Sequence, residues 1–336
     1  MLSNANRNTI ANRVLRQAND LPVLGSGGSG TVYRLDDMVV KQMDVSTQEL
    51  PDFKNEVAAW ADFASNPHVA PYIPRYLGHV IKKTDKLPMP SYNTYAADPE
   101  KFRRNERAYM NAPYMPDYYC FIIQAFEPVM DLADYLESNP SITYDYGYQL
   151  FNNLIAGFEH IHEAGYIHRD IKTKNILIRT EGPNTTMPII IDFGLACKLP
   201  CAQDALCRSN NMGPMGTNYY IAQNMLPVAN RSEFHERAFP VARRPNSMLQ
   251  KVKMTLGCAR RRPNKTVKVR TGTNKLPGIY SIATDNYALA LVLADLYDSI
   301  NWTENKAEKM VAKTHIDRLR SQIIPYLAAT KAARRE

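Results

Sequence analysis

Nine residues constrain this chain more than any others: Ile167-His168-Arg169-Asp170-Ile171-Lys172-Thr173-Lys174-Asn175. Two apolar triplets follow, Ile176-Leu177-Ile178 and Ile189-Ile190-Ile191. The second runs directly into Asp192-Phe193-Gly194, with Asp192 lying 17 residues after Asn175. Short β-branched runs bounded by polar residues read as strands. One loop therefore delivers a carboxylate, a lysine and an amide, and a strand end delivers a second carboxylate. A long helix is expected before them, from Tyr144 to Glu163. Leu150, Phe151, Leu154, Ile155, Phe158 and Ile161 share its inner face, and Gly165 stops it.

The amino-terminal half has a different rhythm. Leu21 to Leu24 reads as a strand, and Gly25-Ser26-Gly27-Gly28-Ser29-Gly30 as a turn. Thr31 to Leu35 and Met38-Val39-Val40-Lys41 read as strands joined by Asp36-Asp37. A glycine run alone is weak evidence. This one joins two strands rather than a strand and a helix, which disfavours a dinucleotide fold and fits a flap over phosphates. Glycines let backbone N–H groups come close to a polyanion. Lys41, on the next strand, would then reach the α- and β-phosphates of ATP, and it needs a carboxylate to hold it. Glu56 is the first candidate, on a helix whose stripe is Phe53, Val57, Trp60 and Phe63. Glu49, in a stretch broken by proline, is the second.

Taken together, the glycine flap, Lys41, the His168-Arg169-Asp170 loop and Asp192-Phe193-Gly194 resemble the eukaryotic protein kinase family over residues 21–300. The resemblance implies an α+β, bilobal fold: a β-rich N-lobe with one main helix, and a mostly helical, truncated C-lobe with ATP between them. The implied boundaries are 1–20 for an extension, 21–124 for the N-lobe with an insertion at 82–117, and 125–336 for the C-lobe with a basic insertion at 225–280.

It also implies roles. Asp170 would accept the proton of a substrate hydroxyl, and Lys172 would steady the transferring phosphate. Asn175 and Asp192 would hold Mg²⁺, with Mn²⁺ as an alternative. The nucleotide would be lined by Gly25, Ser26, Gly27, Gly28, Ser29, Gly30, Val32, Val39, Lys41, Gln124, Ala125, Phe126, Glu127, Asp131, Asn175 and Leu177. Gln124 falls at the gatekeeper position and Ala125-Phe126-Glu127 at the hinge. Asp131 has three readings: the ATP ribose, a basic substrate residue, or the N-cap of a helix over 132–136. Glu127-Pro128-Val129-Met130-Asp131-Leu132 resembles the linker of the Pim kinases. Lys172 and Gly216-Thr217 resemble the Ser/Thr-specific form, with Thr217 contacting Asp170 and Lys172. Arg169 suggests control by an activation-segment phosphate, with Ser209 as an acceptor.

The chain also departs from the family. Tyr220-Ile221-Ala222-Gln223-Asn224 stands where the family has Ala-Pro-Glu, and Asp285-Asn286-Tyr287 where it has Asp-x-Trp. Gly272-Thr273 is an alternative end for the activation segment. Lys174, where basophilic kinases carry Glu, disfavours arginine upstream of the target, and Asp131 pulls the other way. The compact tail and two insertions look like those of divergent kinases of large DNA viruses.

Charge bears on partners. The formal net charge is +8, yet residues 225–280 hold 13 Lys and Arg against Glu233 and Glu236. Protein substrates are implied, and the basic segment is a candidate dock for acidic protein or nucleic acid. The five cysteines, of which Cys197, Cys201 and Cys207 lie close together without CxxC spacing or a neighbouring histidine for zinc, read as reduced and intracellular, in cytoplasm or nucleus. No membrane span is expected, and a monomer is. A scaffold that binds without catalysis and a small-molecule kinase are the competing classes. The retained Lys41, Glu56, Asp170, Asn175 and Asp192 argue against the first. Asp192-Phe193-Gly194 with a following Gly-Thr argues against the second.

Overall fold

The computed structural model describes residues 1–27, 30–85, 100–101, 103–105, 108, 115–182, 185–199, 207–208, 220 and 279–323. The chain divides into two compact units. One comprises Met1–Val57 and Tyr76–Phe126, the other Ala58–Arg75 and Glu127–Glu336.

The first unit is built on a five-stranded antiparallel sheet. Its strands are β1 (Val23–Gly27), β2 (Gly30–Leu35), β3 (Met38–Val45), β4 (Tyr76–Lys83) and β5 (Tyr118–Ala125), in the order β1-β2-β3-β5-β4. Strand β1 begins at Val23, later than Leu21, and takes in the first glycines. Pro22 has no N–H to give a ladder, and its carbonyl instead accepts from Arg34. Side chains alternate across a strand, so Val40 and Ile123 face one side, and Lys41 and Ile122 the other. On the Val40 side lies α1 (Asn4–Gln17), which buries Ile10, Ala11 and Val14 against Leu35, Val40, Val80, Phe121 and Ile123. Ser3 caps this helix, and an Arg13–Asp36 ion pair ties it to the β2–β3 turn.

Helix α2 (Leu50–Ser65) starts in the first unit and ends in the second. Its entry is a reciprocal cap: Ser46 donates to the Glu49 carboxylate at 2.9 Å, and the Glu49 N–H donates to the Ser46 hydroxyl at 3.3 Å. At Gly30, φ is +118°, and a Cβ there would stand 2.2 Å from the Gln42 carbonyl oxygen. Only glycine lets β2 start that close to β3. Of the expected insertion 82–117, the residues described between 100 and 108 are helical.

The second unit is mostly helical. It contains β6 (Met130–Asp131), α3 (Leu132–Ser138), α4 (Tyr144–Glu163), β7 (Tyr166–Ile167), β8 (Ile176–Gly182), β9 (Thr185–Ile190), β10 (Cys197–Lys198), β11 (Cys207–Arg208), β12 (Ile279–Tyr280), α5 (Ile282–Ser299) and α6 (Lys306–Ser321). The long apolar face of α4 is buried as its spacing predicts, and α5 is buried almost all round. Strands β6, β8 and β9 form a small antiparallel sheet, and β7 pairs with β10. No helix among the described residues is long and apolar enough to cross a membrane. Cys120 is a buried free thiol, but Cys197 is disulfide-bonded, which corrects the reading of all five cysteines as reduced.

Gly147 in α4 gives a stability test. A Cβ there would lie 2.4 Å from the Ile300 side chain. Overpacking of this kind costs about 1–3 kcal/mol, against roughly 1 kcal/mol of helix propensity gained over glycine. Gly147→Ala is therefore expected to lower the thermal midpoint. A midpoint equal to or above wild type would show that Ile300 yields freely.

Candidate active site

The strand alternation that aims Lys41 away from α1 brings it to α2. Its Nζ lies 2.9 Å from the Glu56 carboxylate, and both side chains are buried, at 12% and 4% exposure. Glu49, the alternative partner, is spent on the helix cap. The signature Ser46-x-x-Glu49 was readable as a cap and would have removed that alternative. In the same unit, Gly25, Ser26 and Gly27 lie exposed on β1, and Ser26 contacts the Thr31 hydroxyl at 3.3 Å. Val32 pairs with Lys41, and Val39 with Gln124. The Gln124 Nε2 is buried with no hydrogen-bond partner among the described residues. Ala125 ends β5, and Phe126 donates its N–H to the Asp37 carbonyl while the Arg34 guanidinium covers its ring at 4.1 Å.

In the second unit the loop after β7 gathers the other predicted residues. Asp170 is 3% exposed. Its carboxylate accepts from Lys172 Nζ at 2.8 Å and from Asn175 Nδ2 at 3.2 Å. Asn175 Nδ2 also donates to the Asp170 carbonyl, at 2.9 Å. With its amide nitrogen spent in this way, Asn175 keeps its Oδ1 as an acceptor. The Asn175 carbonyl accepts the Ile191 N–H at 3.0 Å, which fixes this loop to the residue before Asp192. Leu177 lies on β8 opposite Asp131. His168, fully buried, donates Nε2–H to the Ile191 carbonyl at 3.0 Å and accepts the Asp170 N–H at Nδ1.

Two backbones in this region are left-handed without being glycine: Arg169 at φ 66° and Asp192 at φ 64°. Such geometry costs roughly 1–2 kcal/mol and needs an external hold. Asp285, at the start of α5 and 1% exposed, provides one. Its carboxylate accepts the N–H of His168 at 2.6 Å and of Arg169 at 2.9 Å, and it contacts His162 Nε2 at 3.1 Å. Burial alone would push this carboxyl's pKa up. The His162 bond and charge and the His168 N–H outweigh it, and the pKa ends below the ordinary range. The sequence pointed to Asp285. It did not point to His162, whose place opposite depends on the packing of α4 against α5.

Phe193 beside Asp192 is fully buried. Its ring lies 4.8 Å from Trp60 and 4.7 Å from Phe63 of α2, and 5.1 Å from His168. Arg169 donates Nε–H to the Leu195 carbonyl, and its guanidinium sits 5.2 Å from the Tyr280 ring. Of the three readings of Asp131, the N-cap is realised: its carboxylate accepts the Asp134 N–H at 2.9 Å. It also accepts from Lys174 Nζ at 3.0 Å, and Lys174 reaches Asp134 as well. Glu127 is held by Arg179 at 3.2 Å. Thr173 contacts the Tyr220 hydroxyl at 3.2 Å. Gly28, Ser29, Ser209, Gly216, Thr217, Gly272, Thr273 and the basic segment fall outside the described residues.

The donor set can be tested against a metal. No cluster of three or more His, Cys, Asp or Glu side chains suited to a metal is present among the described residues. Mg²⁺ bound chiefly through phosphate oxygens and water needs only one or two protein oxygens. Asp192 and the Oδ1 of Asn175 fit that need.

The comparisons with known proteins agree with this geometry. A model described as the protein kinase domain matches residues 104–238. The chain is 28% identical over 177 residues to serine/threonine-protein kinase PknA of Corynebacterium glutamicum, covering 52% of this chain and 31% of that one. It is 27% identical over 121 residues to a probable serine/threonine-protein kinase 2 of Plasmodium falciparum, covering 35% and 23%. With a probable serine/threonine-protein kinase PknB of Lactococcus lactis it shares 26% over 102 residues, covering 30% and 15%. The chain thus spans less than a third of the length of these relatives. The fold and these matches define a protein kinase domain. Residues 104–238 are thus similar to the protein kinase domain, and the relatives matched support a kinase fold of the eukaryotic type.

Proposed function

We propose that this protein transfers the γ-phosphate of ATP to serine and threonine hydroxyls of proteins. The observation that carries the reading is the Asp170 loop. A buried carboxylate is set between a lysine and an asparagine whose remaining oxygen is free to act as an acceptor. Asp170 accepts the hydroxyl proton as the oxygen attacks. Lys172, already at the carboxylate, places its charge where the transferring phosphate gathers negative charge. Lys41, held by Glu56, takes the α- and β-phosphates, and the flap N–H groups cover them. Asn175 and Asp192 would hold Mg²⁺, which would supply positive charge to neutralise the phosphate oxygens. Catalysis in this scheme is positioning and electrostatics.

Substrate type rests on Lys172 and on relatives whose names are those of serine/threonine kinases. An intracellular location, where ATP is present, belongs to the same proposal. So does docking of acidic partners on residues 225–280.

The test is Mg²⁺- and ATP-dependent phosphate transfer to a peptide library offering Ser, Thr and Tyr, with small hydroxyl compounds alongside. Label on Ser and Thr is expected. Label confined to Tyr would overturn the specificity, and label confined to small molecules would overturn the protein-kinase reading.

A further inference from the structure

Outside the candidate active site, one surface of the second unit brings together two histidines from segments far apart in the chain. His68 lies in the turn that follows α2, and His160 lies in the last turn of α4. Their ring centres are 5.5 Å apart, and the ring planes differ by 33°. Both segments are held in place. The Asn66 side-chain oxygen accepts the His68 N–H at 2.9 Å, and the Asn66 carbonyl accepts the Ala70 N–H at 2.9 Å. The Tyr72 ring then packs over Gly157 of α4, where a Cβ would stand 2.8 Å from Tyr72 Cδ1. The same ring lies 5.8 Å from that of His160. The turn is thus seated on α4 by contacts that leave the imidazole nitrogens unused.

The chemistry of the pair points further. Glu163 Oε2 lies 3.0 Å from His160 Nδ1. A carboxylate accepts, so Nδ1 carries the proton, and the neutral ring keeps its lone pair at Nε2. A carboxylate behind a histidine fixes the tautomer of a metal-ligating imidazole and raises its basicity. The His160 side chain is 30% exposed and His68 is exposed, so an ion in solution reaches both rings. Two imidazoles on one tetrahedral zinc, with Zn–N bonds of about 2.0–2.1 Å, have ring centres roughly 5 Å apart. The spacing seen here is close to that, and His68, at the surface, can turn its ring toward the shared point. No set of three His, Cys, Asp or Glu side chains suited to a metal occurs among the described residues, so water would fill the remaining positions.

We propose that His68 and His160 bind a borderline divalent transition ion, with zinc as its representative, and that Glu163 holds His160 in the ligating tautomer. Imidazole nitrogen selects such ions over Mg²⁺, which prefers oxygen. The site therefore differs in kind from the oxygen pair of Asn175 and Asp192, and it does not depend on the phosphotransfer reading. Bound zinc ties the turn after α2 to the end of α4. Both belong to the same compact unit, which the ion stabilises.

The experiment titrates Zn²⁺ into the full chain, stripped of metal and without nucleotide, with Mg²⁺ in large excess. Calorimetry compares wild type with His68→Gln, His160→Gln, the double variant and Glu163→Ala, and thermal midpoints are read with and without zinc. Wild type should hold one zinc ion that the double variant does not. Each histidine variant should lose at least about tenfold in affinity. Glu163→Ala should lose about tenfold, the lower end for a group behind a ligand. Zinc should raise the wild-type midpoint by a few degrees and leave that of the double variant where it was. The metal-free midpoints should stay together, because both rings lie at the surface. A wild type that takes up no more zinc than the double variant overturns the site. So does a loss confined to one histidine variant, because two rings that share an ion must both matter.

Discussion

Asp170→Asn is expected to reduce phosphate transfer by about 10²–10⁴-fold, the share a positioned general base contributes. It should leave Mg-ATP affinity within about twofold of wild type. The two parts separate because Asp170 is not among the nucleotide or metal ligands assigned here. Asparagine keeps the shape of the side chain, and its Oδ1 can still accept from Lys172 and Asn175, which now bond the carboxylate at 2.8 and 3.2 Å. The negative charge beside Lys172 is lost together with the ability to take a proton. Single-turnover transfer measured beside calorimetric ATP binding gives both numbers. Transfer within a few-fold of wild type would remove Asp170 from the chemistry. An equal loss of affinity would mean that the substitution disturbed the loop itself.

The second large effect concerns stability. Asp285→Ala strips the acceptor from two buried N–H groups and removes the partner of His162. Breaking such a buried, hydrogen-bonded charge costs about 3–5 kcal/mol. At roughly 2–4 °C per kcal/mol for a chain of this order of size, the midpoint should fall by on the order of 10 °C. Asp285→Asn keeps an acceptor and should lose less, about 1–3 kcal/mol.

The pH dependence has a definite sign. The folded pKa of Asp285 lies below its unfolded value, so the unfolded chain takes up the proton first as pH falls. The contribution of Asp285 is complete above the unfolded value near 3.9 and drains away as pH falls through the lower folded value. The gap between wild type and Asp285→Asn should therefore narrow from pH 6 to pH 3 in urea titrations. A gap that widens on acidification would show that the carboxylate is not the stabilised form.

How much of this was legible in the sequence depends on how local each feature is. Asp170, Lys172 and Asn175 meet because they share one short loop, and Asp192 follows from the strand before it, so the motifs that carry the family resemblance lie in short local stretches. Glu56 is marked less directly, by helix periodicity, and its rival Glu49 belongs to the Ser46 cap. Asp131 carried three readings because an N-cap and a ligand call for the same carboxylate, and only the position of the Asp134 N–H separates them. Contacts that join distant segments left no trace in the pattern. Asp62 and Lys198 are 136 residues apart, and His162 and Asp285 are 123 apart. Neither member of the first pair is unusual where it stands. The disulfide at Cys197 was likewise hidden, because nothing in the spacing of the cysteines marks a bonded pair. Residues 1–20 were legible only as an extension, with no sign of which face of the sheet their helix would cover.

The hold of Asp285 on His168 and Arg169 spans 117 and 116 residues. That separation gives the protein an order of assembly. Until α5 is made, the Asp170 loop has its residues but not the anchor for its strained backbone. Closing so long a contact is slow relative to forming α4 or the β8–β9 hairpin. A growing chain that has reached residue 238, where the matched kinase segment stops, holds the Asp170 loop without the carboxylate that fixes its backbone, so the loop takes its final form only after Asp285 has been made.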